Sequence, residues 1–162
     1  MKNFIRINAL LAVLFIMALV PASAQGSSEV EKIVKEIVLK YDGTSGIECV
    51  TVAKGSGLDM VKAMFKAQFG KSFMKGVTSI TIINYSDAPE QTCQSIHKDL
   101  DSFISLLEEF NLSEEQAFSG NDFIRCFASP SEEAGTISDF VVALEHAETK
   151  MLLYMAGTIK VD

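Results

Sequence analysis

Cys93 and His97 stand four residues apart in the segment CQSIH. On a helix that spacing puts a thiol and an imidazole on one face. Such a pair could serve a thiol-dependent enzyme or redox protein, or supply half of a metal site. Either chemistry needs more. A reactive thiol needs a lowered pKa and a third group to orient its base. A metal needs further ligands, and no second Cys/His pair accompanies this one. The plainer reading places Cys93 in a core and His97 at the edge of an apolar stripe. The other histidine, His146, falls at an expected hairpin end between Glu145 and Glu148 and reads as a solvated turn residue.

The remaining chemistry-bearing residues argue against an enzyme. Asp99 and Asp101, Glu108 and Glu109, Glu114 and Glu115, and Glu132 and Glu133 are acidic pairs. Glycosidase work needs two carboxylates facing each other with one pKa raised. Neighbours on a helix point apart, so proximity along the chain does not supply that. Gly70-Lys71-Ser72 ends like a phosphate-binding loop, but Phe65 stands where that motif needs its first glycine. The order of elements is also reversed, since a helix precedes the glycine and a strand follows it. Gly70 reads as a helix C-cap with Lys71 near the negative end of the helix dipole, so nucleotide is not expected. Met60, Met64, Met74, Met151 and Met155 are scattered over several elements and read as core filling. No cofactor and no metal is implied.

The 162-residue chain carries 14 basic residues against 21 acidic ones. Two of the basic residues, Lys2 and Arg6, open an N-terminal segment whose next part, Ala9 to Val20, is apolar without interruption. Pro21 follows, then Ala22-Ser23-Ala24. Charge, apolar core and small-residue site in that order describe a secretory signal peptide. The apolar run is too short for a membrane span, which needs about twenty residues. Residues 1–24 are therefore expected to be a leader cut between Ala24 and Gln25, and residues 25–162 one domain, periplasmic or secreted. No cysteine follows the cut, so a lipoprotein anchor is not indicated.

Without Lys2 and Arg6, 12 basic residues face 21 acidic, a net charge of −9. Such a chain is repelled by nucleic-acid backbones. The positive charge is concentrated: Lys54, Lys62, Lys66, Lys71 and Lys75 fall in one segment with only Asp59 against them. This reads as a solvated face. The sharper alternative is a patch through Lys62, Lys66, Lys71 and Lys75 for an acidic partner or, peripherally, an anionic membrane. Export would expose Cys49, Cys93 and Cys126 to oxidising conditions. Three pairings are open, as is the alternative of three buried thiols.

The elements that must position these residues follow from periodicity. Ser28-Glu-Val-Glu31 is a capping box, and Val30, Ile33, Val34, Ile37, Val38 and Tyr41 then repeat at helical spacing. Ile47 to Ala53 reads as a strand. Ser56 caps a second helix with Leu58, Val61, Met64, Phe65 and Phe69 on its stripe. Val77 to Tyr85 is a β-branched central strand. Asp87 caps a third helix striped by Cys93, Ile96, Leu100, Phe103, Ile104 and Leu107 and closed by Phe110. Asp122 to Ser129, Thr136 to His146 and Met151 to Ala156 are late strands joined by short turns, with a weaker strand at Leu112 to Phe118. Short connections make antiparallel neighbours. The expected fold is α+β: three helices on one face of a mixed, mostly antiparallel sheet of five or six strands.

A leader, then Lys40-Tyr41-Asp42-Gly43 at a helix end, a Gly-Ile-Glu-Cys-Val-Thr-Val strand from Gly46, a methionine- and phenylalanine-rich helix, Val77-Thr78-Ser79-Ile80 and the ending Met155-Ala-Gly157-Thr-Ile159-Lys-Val161-Asp162 run along the chain. This layout resembles a family of small exported proteins known as domain of unknown function 4252, typical of Bacteroidetes. The resemblance implies export and a compact α+β domain; it brings no activity and no site residues. The expectation is a non-enzymatic exported binding or interaction domain, with an envelope protein as partner and a place in envelope signalling or stress response. The alternatives are thiol chemistry at Cys93 with His97 and peripheral membrane binding through the lysine segment.

Overall fold

The computed structural model describes residues 28–69, 74–109, 123–130, 135–146 and 148–160. The elements run α1 (Glu29–Tyr41), β1 (Glu48–Ala53), α2 (Ser56–Phe69), β2 (Gly76–Asn84), α3 (Glu90–Ile104), β3 (Glu108–Glu109), β4 (Phe123–Pro130), β5 (Thr136–His146) and β6 (Thr149–Lys160). The strands form one sheet in the order β1-β2-β6-β5-β4-β3, with five long strands and the two-residue β3 at one edge. Every pairing is antiparallel. The fold is α+β, and the expected mixed sheet is corrected to an antiparallel one.

Local signals account for most boundaries. The Ser28 hydroxyl accepts from the Glu31 amide at 3.1 Å and caps α1. The Glu31 carboxylate pairs with Lys35 at 2.8 Å rather than completing the capping box. α3 starts later than its sequence suggests. The Thr92 and Cys93 amides bond the Pro89 carbonyl, so Pro89 takes the cap position expected of Asp87. α3 also stops at Ile104, where the Leu107 amide returns to the Ile104 carbonyl. Gly55, not Ser56, supplies the first carbonyl of α2, bonded by the Asp59 amide. The expected strand at Leu112–Phe118, Phe110, the Gly70 cap, Lys71, and the Glu114–Glu115 and Glu132–Glu133 pairs lie outside the described residues.

The sheet is apolar on both sides. On one side Ile83, Leu152, Tyr154, Val141, Ala143 and Phe127 pack with Val30, Val34, Ile37 and Tyr41 of α1 and Cys93, Ile96 and Leu100 of α3. On the other, Ile80, Ile82, Leu153, Met155, Phe140 and Val142 pack with Leu58 and Val61 of α2. The expectation that all three helices share one face is thereby corrected. Strands such as β6, with Met151-Leu-Leu-Tyr-Met-Ala156 buried throughout, carry apolar side chains at both parities. One helical layer would leave half of them in water.

A line of irregularities crosses the sheet at one level. Register shifts fall between Val77 and Ser79, between Phe127 and Ser129, and between Ser138 and Phe140. Asp139 sits in the last of these with φ 49°. Gly157, on β6 at the same level, has φ 103°, and a Cβ there would overlap the Gly76 carbonyl oxygen. The bulges re-aim the Asp139 side chain towards the helices.

Candidate functional site

Cys93 and His97 lie on one face of α3, as their spacing implies, but the structure gives them different partners. Cys93 is 1% exposed. Its thiol donates to the Ala88 carbonyl at 3.6 Å and accepts from Lys150 Nζ at 3.8 Å. His97 Nε2 meets Glu145 Oε1, which also accepts from the Tyr85 hydroxyl at 3.0 Å. The Tyr85 and His97 rings meet edge-on, centroids 6.2 Å apart. A thiol, an imidazole and an acid do gather here, yet the imidazole is held by the acid and the thiol by an amine. The arrangement anchors α3 to the β5–β6 hairpin. Burial, with the Glu145 charge beside it, pushes the Tyr85 hydroxyl far above its ordinary pKa. His146 does close β5 at the hairpin, as its sequence position suggests.

Two further polar clusters hold α1. Asp99 of α3 accepts from Lys40 Nζ and from the Tyr41 hydroxyl, each at 2.7 Å. Burial pushes the Asp99 carboxyl up, but the hydrogen bonds from Lys40 and Tyr41 outweigh it and hold it below the usual range. At the other end of α1, Asp139 Oδ1 accepts from Ser28 Oγ at 2.8 Å and from the Tyr154 hydroxyl at 2.7 Å. Tyr154 is itself buried, and burial reinforced by Asp139 raises its pKa well above the ordinary value.

Between α1 and the β1–β2 side of the sheet lies a groove of about 270 Å³. Val34, Val38 and Leu39 form its helical wall, and Thr51, Ser79 and Thr81 its floor. Tyr154 lines it from β6, and the Glu31–Lys35 ion pair stands at α1. The floor hydroxyls of Thr51 and Thr81 lie 3.1 Å apart and bond each other. Leu39 is 78% exposed, the highest value among the described large apolar residues. With the floor hydroxyls bonded to each other and Thr81 buried, the groove presents an almost wholly apolar surface and can take apolar groups. Sequence reading missed it. The available signals were Leu39, apolar but off the α1 stripe, and hydroxyls at positions of β1 and β2 whose parity elsewhere on this face is apolar.

The other expected features divide. Cys49, Cys93 and Cys126 are all thiols, Cys49 half-buried and the others buried. Burial, with Asp42 and Glu48 adding to it, pushes the Cys49 thiol up to about 11. Of the lysine segment, Lys75 is exposed and Lys62 partly so; the Lys66 side chain and Lys71 lie outside the described residues. Among the described residues no group of three His, Cys, Asp or Glu side chains is arranged to hold a metal ion, and no helix is long and apolar enough to cross a membrane. No family model, no curated protein and no solved structure matches this chain.

Proposed function

We propose that this chain is an exported, non-enzymatic binding domain whose ligand enters the groove between α1 and the β1–β2 side of the sheet. The observation that carries this is the groove itself, about 270 Å³ with an almost wholly apolar surface and an exposed leucine at its rim. That volume lies just under the range of sites that swallow a whole small molecule. It suits one or two apolar side chains of a protein partner in the envelope. The leader-like N-terminus and the family resemblance both favour export. Against thiol chemistry stand the 1% exposure of Cys93 and the commitment of His97 to Glu145. A nucleophile must reach its substrate, and its base must reach the nucleophile.

The test is a titration of the isotope-labelled protein with short capped peptides rich in leucine and valine, followed by amide chemical shifts. Shifts centred on Val34, Val38, Leu39, Thr51 and Thr81 are expected, and Thr51→Phe, which fills the groove, should abolish them. Shifts that centre on α3 and the β5–β6 hairpin, or that survive Thr51→Phe, refute the reading.

A further inference from the structure

Lys150 turns its amine to a sulfur rather than to a carboxylate. It is the second residue of β6 and is half-buried. Glu145 stands opposite it in the β5–β6 register, but that carboxylate serves His97 and Tyr85. Among the described residues no carboxylate forms an ion pair with Lys150. Its Nζ lies 3.8 Å from Cys93 Sγ instead. The backbone beneath the amine is fixed. The Lys150 amide donates to Ser86 Oγ at 2.9 Å, and the Lys150 carbonyl accepts from the Tyr85 amide at 2.9 Å. A nucleophilic nitrogen on β6 thus faces a nucleophilic sulfur on α3.

The other thiols are placed elsewhere. Cys49, Cys93 and Cys126 form no disulfide with one another. Cys126 packs on the side of the sheet opposite to Cys93. Cys49 lies on the edge strand β1, separated from β6 by β2. An oxidised Cys93 therefore meets an amine before it meets a thiol.

We infer that Cys93 and Lys150 form a peroxide-driven modification site, closed by a sulfur–nitrogen bond between α3 and β6. Hydrogen peroxide takes the thiol to a sulfenic acid and is itself reduced to water, a two-electron oxidation of the sulfur. The uncharged Lys150 amine then attacks that sulfur. The S–O bond breaks, the hydroxyl leaves with one nitrogen proton as water, and an S–NH link remains. Condensation of a sulfenic acid with a nitrogen is established chemistry for backbone amides. Burial of Cys93 keeps a docked substrate out, but an oxidant little larger than water needs only a local opening. Cys93 is the fourth residue of α3, where helix ends fray. Exported chains also meet oxidants without the cytosolic thiol pool. The bond would staple α3 to β6 beside the His97–Glu145 contact. This goes beyond the binding reading and does not depend on it, because the reaction uses no part of the groove.

Peptide mass spectrometry after hydrogen peroxide treatment of the folded protein, with digestion in the absence of reductant, tests it. A crosslinked pair joining the Cys93 and Lys150 peptides is expected, lighter than their sum by two hydrogens. Dithiothreitol should reverse it, restoring thiol and amine. Lys150→Arg offers a guanidinium that stays charged. It should lose the link and leave a sulfenic acid at Cys93 that dimedone traps, with circular dichroism confirming the fold. Treatment in urea, which breaks the contact, should also lose the link. A Cys93 that stays a thiol, or that passes to sulfinic acid or a disulfide without the link, overturns the inference. So does a link that persists in Lys150→Arg or forms equally in urea.

Discussion

Replacing Tyr154 by phenylalanine isolates one hydrogen bond on which the placement of α1 depends. The Tyr154 ring is 1% exposed and its hydroxyl donates to Asp139 at 2.7 Å. A bond to a charged acceptor contributes about 1.5–3 kcal/mol. Asp139 is half-buried and keeps its bond from Ser28, so water and Ser28 recover part of the loss. The expected cost is about 1.5 kcal/mol. Asp139→Gly separates the two opposing effects at that position. Its backbone φ of 49° costs a non-glycine residue about 1 kcal/mol, which glycine would relieve. The same change leaves the buried Tyr154 hydroxyl without its acceptor, at about 2–3 kcal/mol, and adds chain entropy to the unfolded state. Net destabilisation of about 2 kcal/mol is expected. Asp139→Asn keeps an acceptor and tolerates the left-handed backbone, so it should cost about 1 kcal/mol or less.

Urea unfolding followed by circular dichroism reads these values, with the m-value held constant as the check on comparability. The order expected is Asp139→Asn mildest, then Tyr154→Phe, then Asp139→Gly. In a double-mutant cycle, Tyr154→Phe with Asp139→Gly should show a coupling of about 1.5 kcal/mol. Asp139→Gly at or above wild-type stability, or a coupling within about 0.5 kcal/mol of zero, would mean that the hydrogen bonds do not hold the strained residue.

Gly46→Ala should cost about 3 kcal/mol, because φ is 79° and the added Cβ overlaps the backbone at Asp87 and Ala88; Gly43→Ala, at φ 77° with nothing within 4 Å, should cost about 1 kcal/mol, and thermal melts of the two separate clash from strain. Glu145→Ala should cost about 2 kcal/mol by stranding the buried Tyr85 hydroxyl, whereas Glu145→Gln, which keeps an acceptor, should cost under about 1 kcal/mol. Stability should be flat at neutral pH and fall on both sides. Asp99 has a depressed pKa, so its contribution is present above the unfolded carboxyl value and is lost as pH falls through the lower folded one; Tyr85 and Tyr154 have raised values, so their contribution is present below about pH 10 and is lost as pH climbs towards theirs. A chemical-denaturation series across pH that rises at either end contradicts these assignments. Cys49 should resist maleimide at neutral pH and react only as pH nears 11; rapid labelling at pH 7 would place its thiol elsewhere.

Local code made the helices and most strands legible. Ser28 caps α1 because a hydroxyl four residues before Lys32 is the natural acceptor for the Glu31 amide, and no tertiary contact is needed to see it. The β5–β6 hairpin was legible because two apolar runs flank the turn-forming sequence Ala147-Glu148-Thr149. What escaped was set by register across the sheet. His97 finds Glu145, 48 residues away, only because the sheet brings the turn end of the β5–β6 hairpin beside α3. The side taken by α2 escaped for a similar reason. An amphipathic stripe says that a helix is covered, not which face of a two-faced sheet covers it.

The three polar clusters share a consequence for the groove. Ser28–Asp139 ties the start of α1 to β5, Tyr41–Asp99 ties its end to α3, and His97–Glu145 ties α3 to β5 in turn. Together they close a ring of contacts through α1, α3 and β5, so α1 cannot slide sideways over the sheet without breaking charged hydrogen bonds. The stripe of α1 is drawn over β6 and away from the β1–β2 edge, where Thr51 and Thr81 replace an apolar seat. A helix held off the sheet edge at both ends leaves a trough beside it whose shape exists before anything binds. A preformed site avoids the ordering cost of a flexible one. The titratable side chains on this face thus act as fasteners, and the groove is lined by residues they leave uncovered.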